Sequence, residues 1–498
     1  MRIKKTLLLF PPYPIPKMFP KRAQIPLGVA YLASSLRNEG LEVEILDSVI
    51  EGWDHSIKVD SHNIQYGLSI REIVNRISRA KPEILGISCM FSTQVRVSHE
   101  IAREVKKVIP DIIVCTGGAH PSAVPEDMAS DENIDFVIIG EGEKTLLNLI
   151  NAIDRGDPYD KIDGICYRRD DGQIILNPHK KYIEDLDSIP FPAFDLLPLE
   201  RYFEINRPHG TITRNKRIIP IVTSRGCPAK CVFCSIHPVW GRRYRARSPE
   251  NVVDEIEMLV NRYGAQEIQI EDDNFTYDRA RAERICDLLI ERRIDVAFTA
   301  PNGLAIWALD ERLLYKLREV GFYRLTLAVE SGSQMTLSRI IHKPLKLEHV
   351  IRIIDIANKI GFDIDLFFVV GFPGETLEEM QKTFDLGKSL DVLNVKYFIA
   401  TPYPGTELLE ISRRDNLIPP DFDPTDPSIN VVSGIITTED FTPERLKRLV
   451  LVETMKTQLK LFLRHPLRYT TNVLRTYLLK DPTAIFAFLW NIIKARLS

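Results

Sequence analysis

Short apolar runs alternate with helix-patterned stretches along most of this chain, and that alternation constrains its fold more than any other feature. Apolar runs at 5–10, 41–46, 84–88, 112–115 and 136–139 are separated by helical spacing at 27–37, 70–78, 97–108 and 143–152. Short strands buried on both faces and joined by helices make a parallel sheet. Ser69 and Glu72 form a capping box in front of the second helix. The expected class is therefore α/β, opening with a doubly wound, flavodoxin-like parallel sheet over residues 1–155. Ligands of such sheets sit beyond the carboxyl ends of the strands. The segments that fall there are Pro11-Pro12-Tyr13-Pro14, Ser88, the run Gly117-Gly118-Ala119-His120-Pro121-Ser122, and Gly140-Glu141-Gly142-Glu143. No G-x-G-x-x-G opens the first helix and no Walker sequence is present, which argues against an ordinary nucleotide site.

A second alternation starts at 218–223. Strand-like runs follow at 267–270, 296–300, 324–329, 365–370 and 395–400, with helical stretches at 252–262, 279–292, 311–320, 347–360 and 377–389. Strand–helix units in this order predict a partial (β/α)6 TIM-like barrel over 216–425, whose active site belongs at the carboxyl ends of its strands. A connector, 156–215, holds a hairpin signal at Asp170-Asp171-Gly172 and a proline-rich bridge, Ile189-Pro190-Phe191-Pro192. A basic, amphipathic helical region, 426–498, completes the chain.

The first strand of the second alternation runs into Cys227, Cys231 and Cys234, spaced C-x3-C-x2-C. Three thiolates and no fourth leave a metal site open. Structural zinc and closed Fe–S clusters both take four protein ligands. A zinc knot completed by His237 is weighed against this, but the paired C-x2-C units that zinc favours are absent. The other cysteines, Cys89, Cys115, Cys166 and Cys286, are scattered and form no disulfide framework, so a reducing, cytoplasmic setting is expected. The 498 residues, 44% apolar and 27% charged, suit a multidomain globular protein.

The cysteine spacing, with Phe233 before the third cysteine, resembles the radical S-adenosylmethionine (SAM) superfamily. The resemblance implies a 4Fe-4S cluster on Cys227, Cys231 and Cys234, with SAM chelated at the open iron and cleaved to a 5′-deoxyadenosyl radical. It assigns SAM contacts to Asp272, Asp273, Asn274, Asn302, Glu330, Ser331, Gly371, Pro373 and Gly374, which follow successive barrel strands, and places Tyr403 toward the substrate. The first domain, with its bridge, resembles the cobalamin-binding domain of one large class of these enzymes. That likeness implies cobalamin held by Ser88, Gly117, Gly118, His120, Ser122, Gly140, Glu141 and Gly142. The D-x-H-x-x-G pattern is missing after the first strand, and the near miss Asp60-Ser61-His62 lies in another loop, so base-off cobalamin without a histidine ligand is expected. Arg242, Arg243, Arg245 and Arg247 read as a solvated basic face.

The resemblance implies methylation of an unactivated carbon, with a cyclase or rearrangement enzyme as the alternative. A cobalamin sensor or scaffold with a structural metal stands further off, and tRNA methylthiolation lacks a second three-cysteine set. From Phe441 onward eleven Lys/Arg face three acidic residues, interleaved with apolar groups such as Leu461-Phe462-Leu463 and Ile485–Trp490. Amphipathic basic helices of this kind either close the barrel or lie on anionic membranes. The expected partners are a small-molecule or lipid substrate and a reductant such as flavodoxin or ferredoxin, with peripheral membrane contact at the inner face and no nucleic acid.

Overall fold

The computed structural model describes residues 3–17, 19–210 and 213–473. The first sheet is built on Lys5–Phe10, whose Leu7, Leu8 and Leu9 are buried. This strand lies between Glu42–Asp47 and Ile84–Ser88, and Ile113–Gly117 and Phe136–Ile138 follow in order, all parallel. The strand order changes direction between Lys5–Phe10 and Ile84–Ser88, so the crevice that such sheets offer to ligands opens there. Ser69 accepts from Glu72 N while the Glu72 carboxylate accepts from Ser69 N, as the capping box predicts.

Two segments depart from the sequence reading. The hairpin Ile165–Arg168/Ile174–Asn177 is not a free connector: it adds two antiparallel strands to the edge of the first sheet. The proline-rich loop after the first strand forms a strand of its own, Tyr13–Pro16, paired with Asn63–Tyr66 and through it with Ser56–Lys58. Tyr13–Pro16 lies at the edge of that small sheet, the position that tolerates prolines. The Asp60-Ser61-His62 near miss is the turn of this sheet, where Asp60 Oδ1 accepts from His62 N at 2.6 Å and Asn63 N at 2.9 Å.

The second half carries two three-stranded parallel sheets. Ile218–Ile221, Glu267–Ile270 and Ala297–Thr299 form one; Arg324–Glu330, Asp363–Val370 and Asn394–Ile399 form the other. Parallel bridges Phe298↔Phe322 and Leu304↔Leu327 link them. Ser248 caps the helix Pro249–Tyr263, accepting from Asn251 N, with Pro249 at its first position. One apolar core runs from these sheets through Ile189, Phe194 and Leu197 of the bridge to Ala30 and Tyr31 of the first domain. Ala193 N donates to Ala30 O at 3.0 Å, so the bridge is packed between the domains.

The helix Pro443–Arg464 lies on Asn394–Ile399 and buries Leu446, Val450, Thr457 and Leu461. Its Glu453 is buried between Lys388 (2.9 Å) and Lys456 (2.6 Å). Over this stretch the amphipathic pattern serves packing on that sheet. The apolar group Ile485–Trp490 lies outside the described residues. Among those described, no helix is long and apolar enough to cross a membrane.

Candidate active site

The strand Ile218–Ile221 delivers the cysteine loop, and a short ladder between Ser224–Arg225 and Arg245–Ala246 closes its base. Gly226 enters the loop with φ +82°, and a Cβ there would meet Arg243 O at 2.3 Å, so only glycine fits. Cys227 is buried, Cys231 and Cys234 partly so. Burial pushes the Cys231 thiol up to about 11 and the Cys234 thiol to about 12. His237 does not turn to them: its ring nitrogens face Gly241 O (3.5 Å) and Arg242 (3.3 Å). Phe233 packs on Phe372, ring centroids 5.7 Å apart.

The acidic loop after Glu267–Ile270 divides its labour. Asp272 is buried and accepts from Thr223 N (2.5 Å), Thr223 Oγ1 (2.6 Å) and Ser224 Oγ (2.6 Å). Its oxygens are engaged in holding the root of the cysteine loop. Asp273 has no such partner among the described residues, and burial, then the neighbouring Asp272 charge, raises its carboxyl to about 7. Asn274 donates to Cys227 Sγ at 3.5 Å, and its Oδ1 is buried without a partner. Asn302 is exposed and bonds Glu271 O at 2.9 Å.

Glu330 sits at φ +70° and accepts from Lys343 Nζ at 2.9 Å. Burial alone would lower Lys343; the Glu330 carboxylate and the Cys231 and Cys234 thiols outweigh it and hold the ammonium above its usual value. Ser331 lies beneath the loop. It is fully buried, facing Thr383 Oγ1 at 3.1 Å and accepting from Ser333 N, so it braces the loop from inside. In the segment Gly371–Glu375, Glu375 accepts from Gly371 N (2.7 Å) and Phe372 N (3.2 Å), while burial raises its carboxyl to about 8. Pro373 and Gly374 remain partly or fully exposed. Tyr403 is half-buried, its hydroxyl raised to about 12 by burial, with no hydrogen-bond partner for that hydroxyl among the described residues.

Arg245 and Arg247 are buried, contrary to the solvated face expected of them; Arg242 and Arg243 are exposed. Arg245 donates to Glu141 Oε1 (2.7 Å) and Oε2 (2.9 Å), and Arg225 to Glu141 (2.9 Å) and Glu143 (2.5 Å). Arg247 pairs with Glu255. With Ile183 N also donating to Glu141 Oε2 at 2.6 Å, Glu141 fastens the first domain to the second half of the chain. Its neighbours are covered too, Gly140 by His179 and Gly142 by Leu32, each closer than 3.0 Å to where a Cβ would stand.

The rest of the first domain's expected set stays together. Gly118 has φ +117°, and a Cβ on it would lie 2.7 Å from Cys89 O. Ser88 and Gly117 sit at paired strand ends. Ser122 Oγ donates to Gly118 O (2.7 Å) and accepts from Gly140 N (2.9 Å). His120 bonds Ser92 Oγ through Nδ1 at 2.9 Å, and its Nε2 is buried without a partner. Burial lowers it to about 4, which keeps the ring neutral at pH 7. A bare glycine backbone beside an orphaned ring nitrogen fits a large polar-edged planar cofactor such as a corrin. The Cys231 and Cys234 thiols beside a buried ammonium, with Cys227 on the same loop, suit a cluster with one open iron.

The two sets meet. The helix Ala119–Ala123 packs against His237–Trp240, just after the cysteines, and a Cβ on Gly405 would touch both Pro238 (2.7 Å) and Ala123 (3.0 Å). Arg225, Arg281 and Lys343 carry no local sequence signal that marks them as part of the site. Arg281 donates to Thr223 O (2.8 Å) and Arg247 O (2.7 Å) under the same loop.

Comparison with known proteins agrees with this geometry. Residues 221–387 match the radical SAM superfamily and residues 22–150 the B12 binding domain. The chain is 34% identical to cytidylyl-2-hydroxyethylphosphonate methyltransferase of Streptomyces wedmorensis, covering 84% of each. It is 30% identical to the anaerobic magnesium-protoporphyrin IX monomethyl ester cyclase of Rubrivivax gelatinosus, over 77% of this chain and 66% of that protein. Among solved structures, the cobalamin-dependent SAM radical enzyme OxsB with aqua-cobalamin bound shares the fold, with TM-score 0.70 at 18% identity over 99% of this chain and 75% of that one.

Proposed function

The chain belongs to the radical SAM enzymes that carry a B12-binding domain, and from that premise we propose that it methylates an unactivated carbon of a hydrophobic substrate at the junction of its two halves. When bound, the 4Fe-4S cluster and SAM supply a 5′-deoxyadenosyl radical, and cobalamin supplies the methyl group. The observation that carries the reading is the packing of Ala119–Ala123 against His237–Trp240, which sets the glycine–histidine loop beside the cysteine loop. The strand order of the first sheet supports a flavodoxin-like domain, and the two parallel three-stranded sheets of the second half, linked by the Phe298↔Phe322 bridge, support an open (β/α)6 barrel.

In this reading Cys227, Cys231 and Cys234 hold the cluster. Asp273, the carboxylate left without a partner, receives the amino group of SAM, and Lys343 faces its carboxylate. Gly371, Pro373 and Gly374 back the adenine together with Phe233, while Asn274 and Asn302 add polar contacts. Gly117, Gly118, His120, Ser122 and Ser88 hold the corrin, and Tyr403 faces the substrate. Asp273→Asn should raise the KM for SAM about tenfold, in line with loss of a charge-assisted hydrogen bond, while iron content stays unchanged. Gly118→Ala combines positive-φ strain, about 1–3 kcal/mol, with a backbone contact. It should weaken cobalamin binding at least tenfold in an absorbance titration without altering iron content.

A hydrophobic substrate is supported by the outward Leu459, Phe462, Leu463 and Leu467 of the last described helices. The 34% relative, named for a nucleotidyl phosphonate, favours a polar substrate as the second reading. Anaerobically reconstituted, cobalamin-loaded protein incubated with SAM, reductant and the separated lipid and aqueous fractions of a cell extract tests both. Matched formation of 5′-deoxyadenosine and S-adenosylhomocysteine with the lipid fraction supports the first reading. The same with only the aqueous fraction supports the second. Deoxyadenosine alone replaces methylation with a cyclase or rearrangement activity.

A further inference from the structure

We propose that the sheet Arg324–Glu330, Asp363–Val370, Asn394–Ile399 binds an anionic head of the substrate, a phosphate or a carboxylate, at Lys396, with the rings of Phe367 and Phe398 against the carbon chain that follows. The inference rests on the methylation reading and adds a substrate class to it: an amphiphile, apolar along its length and charged at one end. Alternate residues of a strand point to opposite faces. On one face Leu366, Phe368, Val395, Tyr397 and Ile399 are buried, and Tyr397 reaches Thr457 of the covering helix at 3.2 Å. Strands of parallel sheets are ordinarily covered on both faces. Here the other face, where Phe367 pairs with Lys396, leaves Asp363, Phe367, Asn394, Lys396 and Phe398 half-buried. The matching row of the first barrel sheet is covered: Glu267 accepts from Arg214 N at 3.0 Å and Asn215 N at 3.2 Å, and Glu271 faces His209 at 2.9 Å.

Charge on this open face supplies the second observation. Lys396 Nζ makes no hydrogen bond or ion pair among the described residues and stands 5.3 Å from the centre of the Phe367 ring. The acidic groups of the face are taken by arginines: Arg324 Nη1 donates to both oxygens of Asp365 at 2.7 and 2.8 Å, and Arg468 donates to Asp363 at 2.8 Å. Lys396 is the cation in surplus. Burial lowers its ammonium, the Asp365 charge raises it, and the charges of Arg22, from the first domain, and Arg324 lower it further. An ammonium that burial disfavours and no carboxylate bonds is stabilised by an incoming anion. Phe367 and Phe398 meet edge to face with centroids 5.5 Å apart, so the site continues into an apolar wall. Lys396 lies four residues before Ala400, about 13 Å along the strand, which sets the head well below the carboxyl-end loops and the reacting carbon some way along the chain.

The test titrates reconstituted, cobalamin-loaded wild type and Lys396→Met by calorimetry, with SAM and without reductant, using octyl phosphate, octanoate, octanol and inorganic phosphate. Wild type is expected to bind one of the two anionic amphiphiles more tightly than octanol or inorganic phosphate, and the preferred one names the head group. Lys396→Met should raise that Kd about tenfold, the loss of a charge-assisted hydrogen bond, and leave octanol unchanged. Its guanidinium chloride midpoint should not fall, because methionine replaces a charge that has no ion pair. An unchanged Kd in the variant would overturn the proposal, and so would inorganic phosphate binding as tightly as octyl phosphate. A lowered midpoint in Lys396→Met would overturn it too, since the lysine would then be a structural counter-charge to Asp365. Wild type that shows the anion preference yet forms no deoxyadenosine from SAM and dithionite would instead overturn the radical SAM reading.

Discussion

Alanine at Cys227, Cys231 or Cys234 is expected to reduce 5′-deoxyadenosine formation to the background of protein-free controls, with bound iron and sulfide falling together. The reason is ligand count. The loop offers three thiols, and His237 is committed to Gly241 and Arg242, so no reserve ligand is at hand when one thiol is lost. Two thiolates do not hold a four-iron cluster against solvent and reductant. The loop should survive the loss, because the ladder between Ser224–Arg225 and Arg245–Ala246 and the bond from Val232 N to Ile341 O anchor it without metal. Circular dichroism and cobalamin uptake should therefore match wild type, which separates lost ligation from lost folding. Retained SAM cleavage in the triple alanine variant would remove the cluster from this loop and the functional reading with it.

Local pattern carried much of the architecture. The capping box of Ser69 and Glu72, the Ser248–Pro249 helix start and the short buried strands are decided by neighbours in sequence, and the structure has them where the pattern put them. Long-range pairing carried the rest. Arg225 and Arg245 find their carboxylate 84 and 104 residues away, and nothing near either arginine distinguishes it from the exposed Arg242 and Arg243. Glu141 shows the same limit: a glycine-flanked glutamate at a strand end reads as a ligand contact, and only the second half of the chain brings the arginines that pair with it. Asp272 and Asp273 are adjacent and chemically identical, and only the hydroxyls of Thr223 and Ser224, delivered by a different strand, separate the brace from the free carboxylate. An amphipathic helix has one pattern whether it covers a barrel or a bilayer. Residues 443–464 proved to cover the strand Asn394–Ile399.

Glu141→Ala is expected to be the most destabilising single substitution in the chain outside its apolar core. Removing one partner of a buried ion pair leaves the other charge unpaired in a low-dielectric site, which costs about 3–5 kcal/mol. Here the exposed surface of the Glu141, Arg225 and Arg245 side chains is 0%, 4% and 2%, so water cannot take over the lost bonds. Arg225 keeps Glu143 at 2.5 Å, whereas Arg245 keeps no carboxylate, only Ile183 O at 2.7 Å, Trp240 O at 3.0 Å and the face of the Tyr182 ring at 5.0 Å. Arg245 therefore bears most of the penalty, and its strand is the one that closes the cysteine loop. The guanidinium chloride midpoint of the first unfolding transition should fall in Glu141→Ala. It should fall less in Glu141→Gln and recover in the double variant Glu141→Leu/Arg245→Met, because replacing both charges by apolar groups removes the unpaired ion. If the double variant is no better than Glu141→Ala, the penalty lies elsewhere than in the stranded arginine. The functional consequence follows from where the pair sits. Glu141 belongs to the cobalamin-binding half and its arginines to the strands flanking the cysteine loop, so the pair sets the distance between the two halves of the site. Glu141→Gln, folded and loaded with both cofactors, should form deoxyadenosine in excess of methylated product, whereas wild type is expected to keep the two matched. Matched products in a Glu141→Gln protein of lowered stability would make the pair a matter of folding alone.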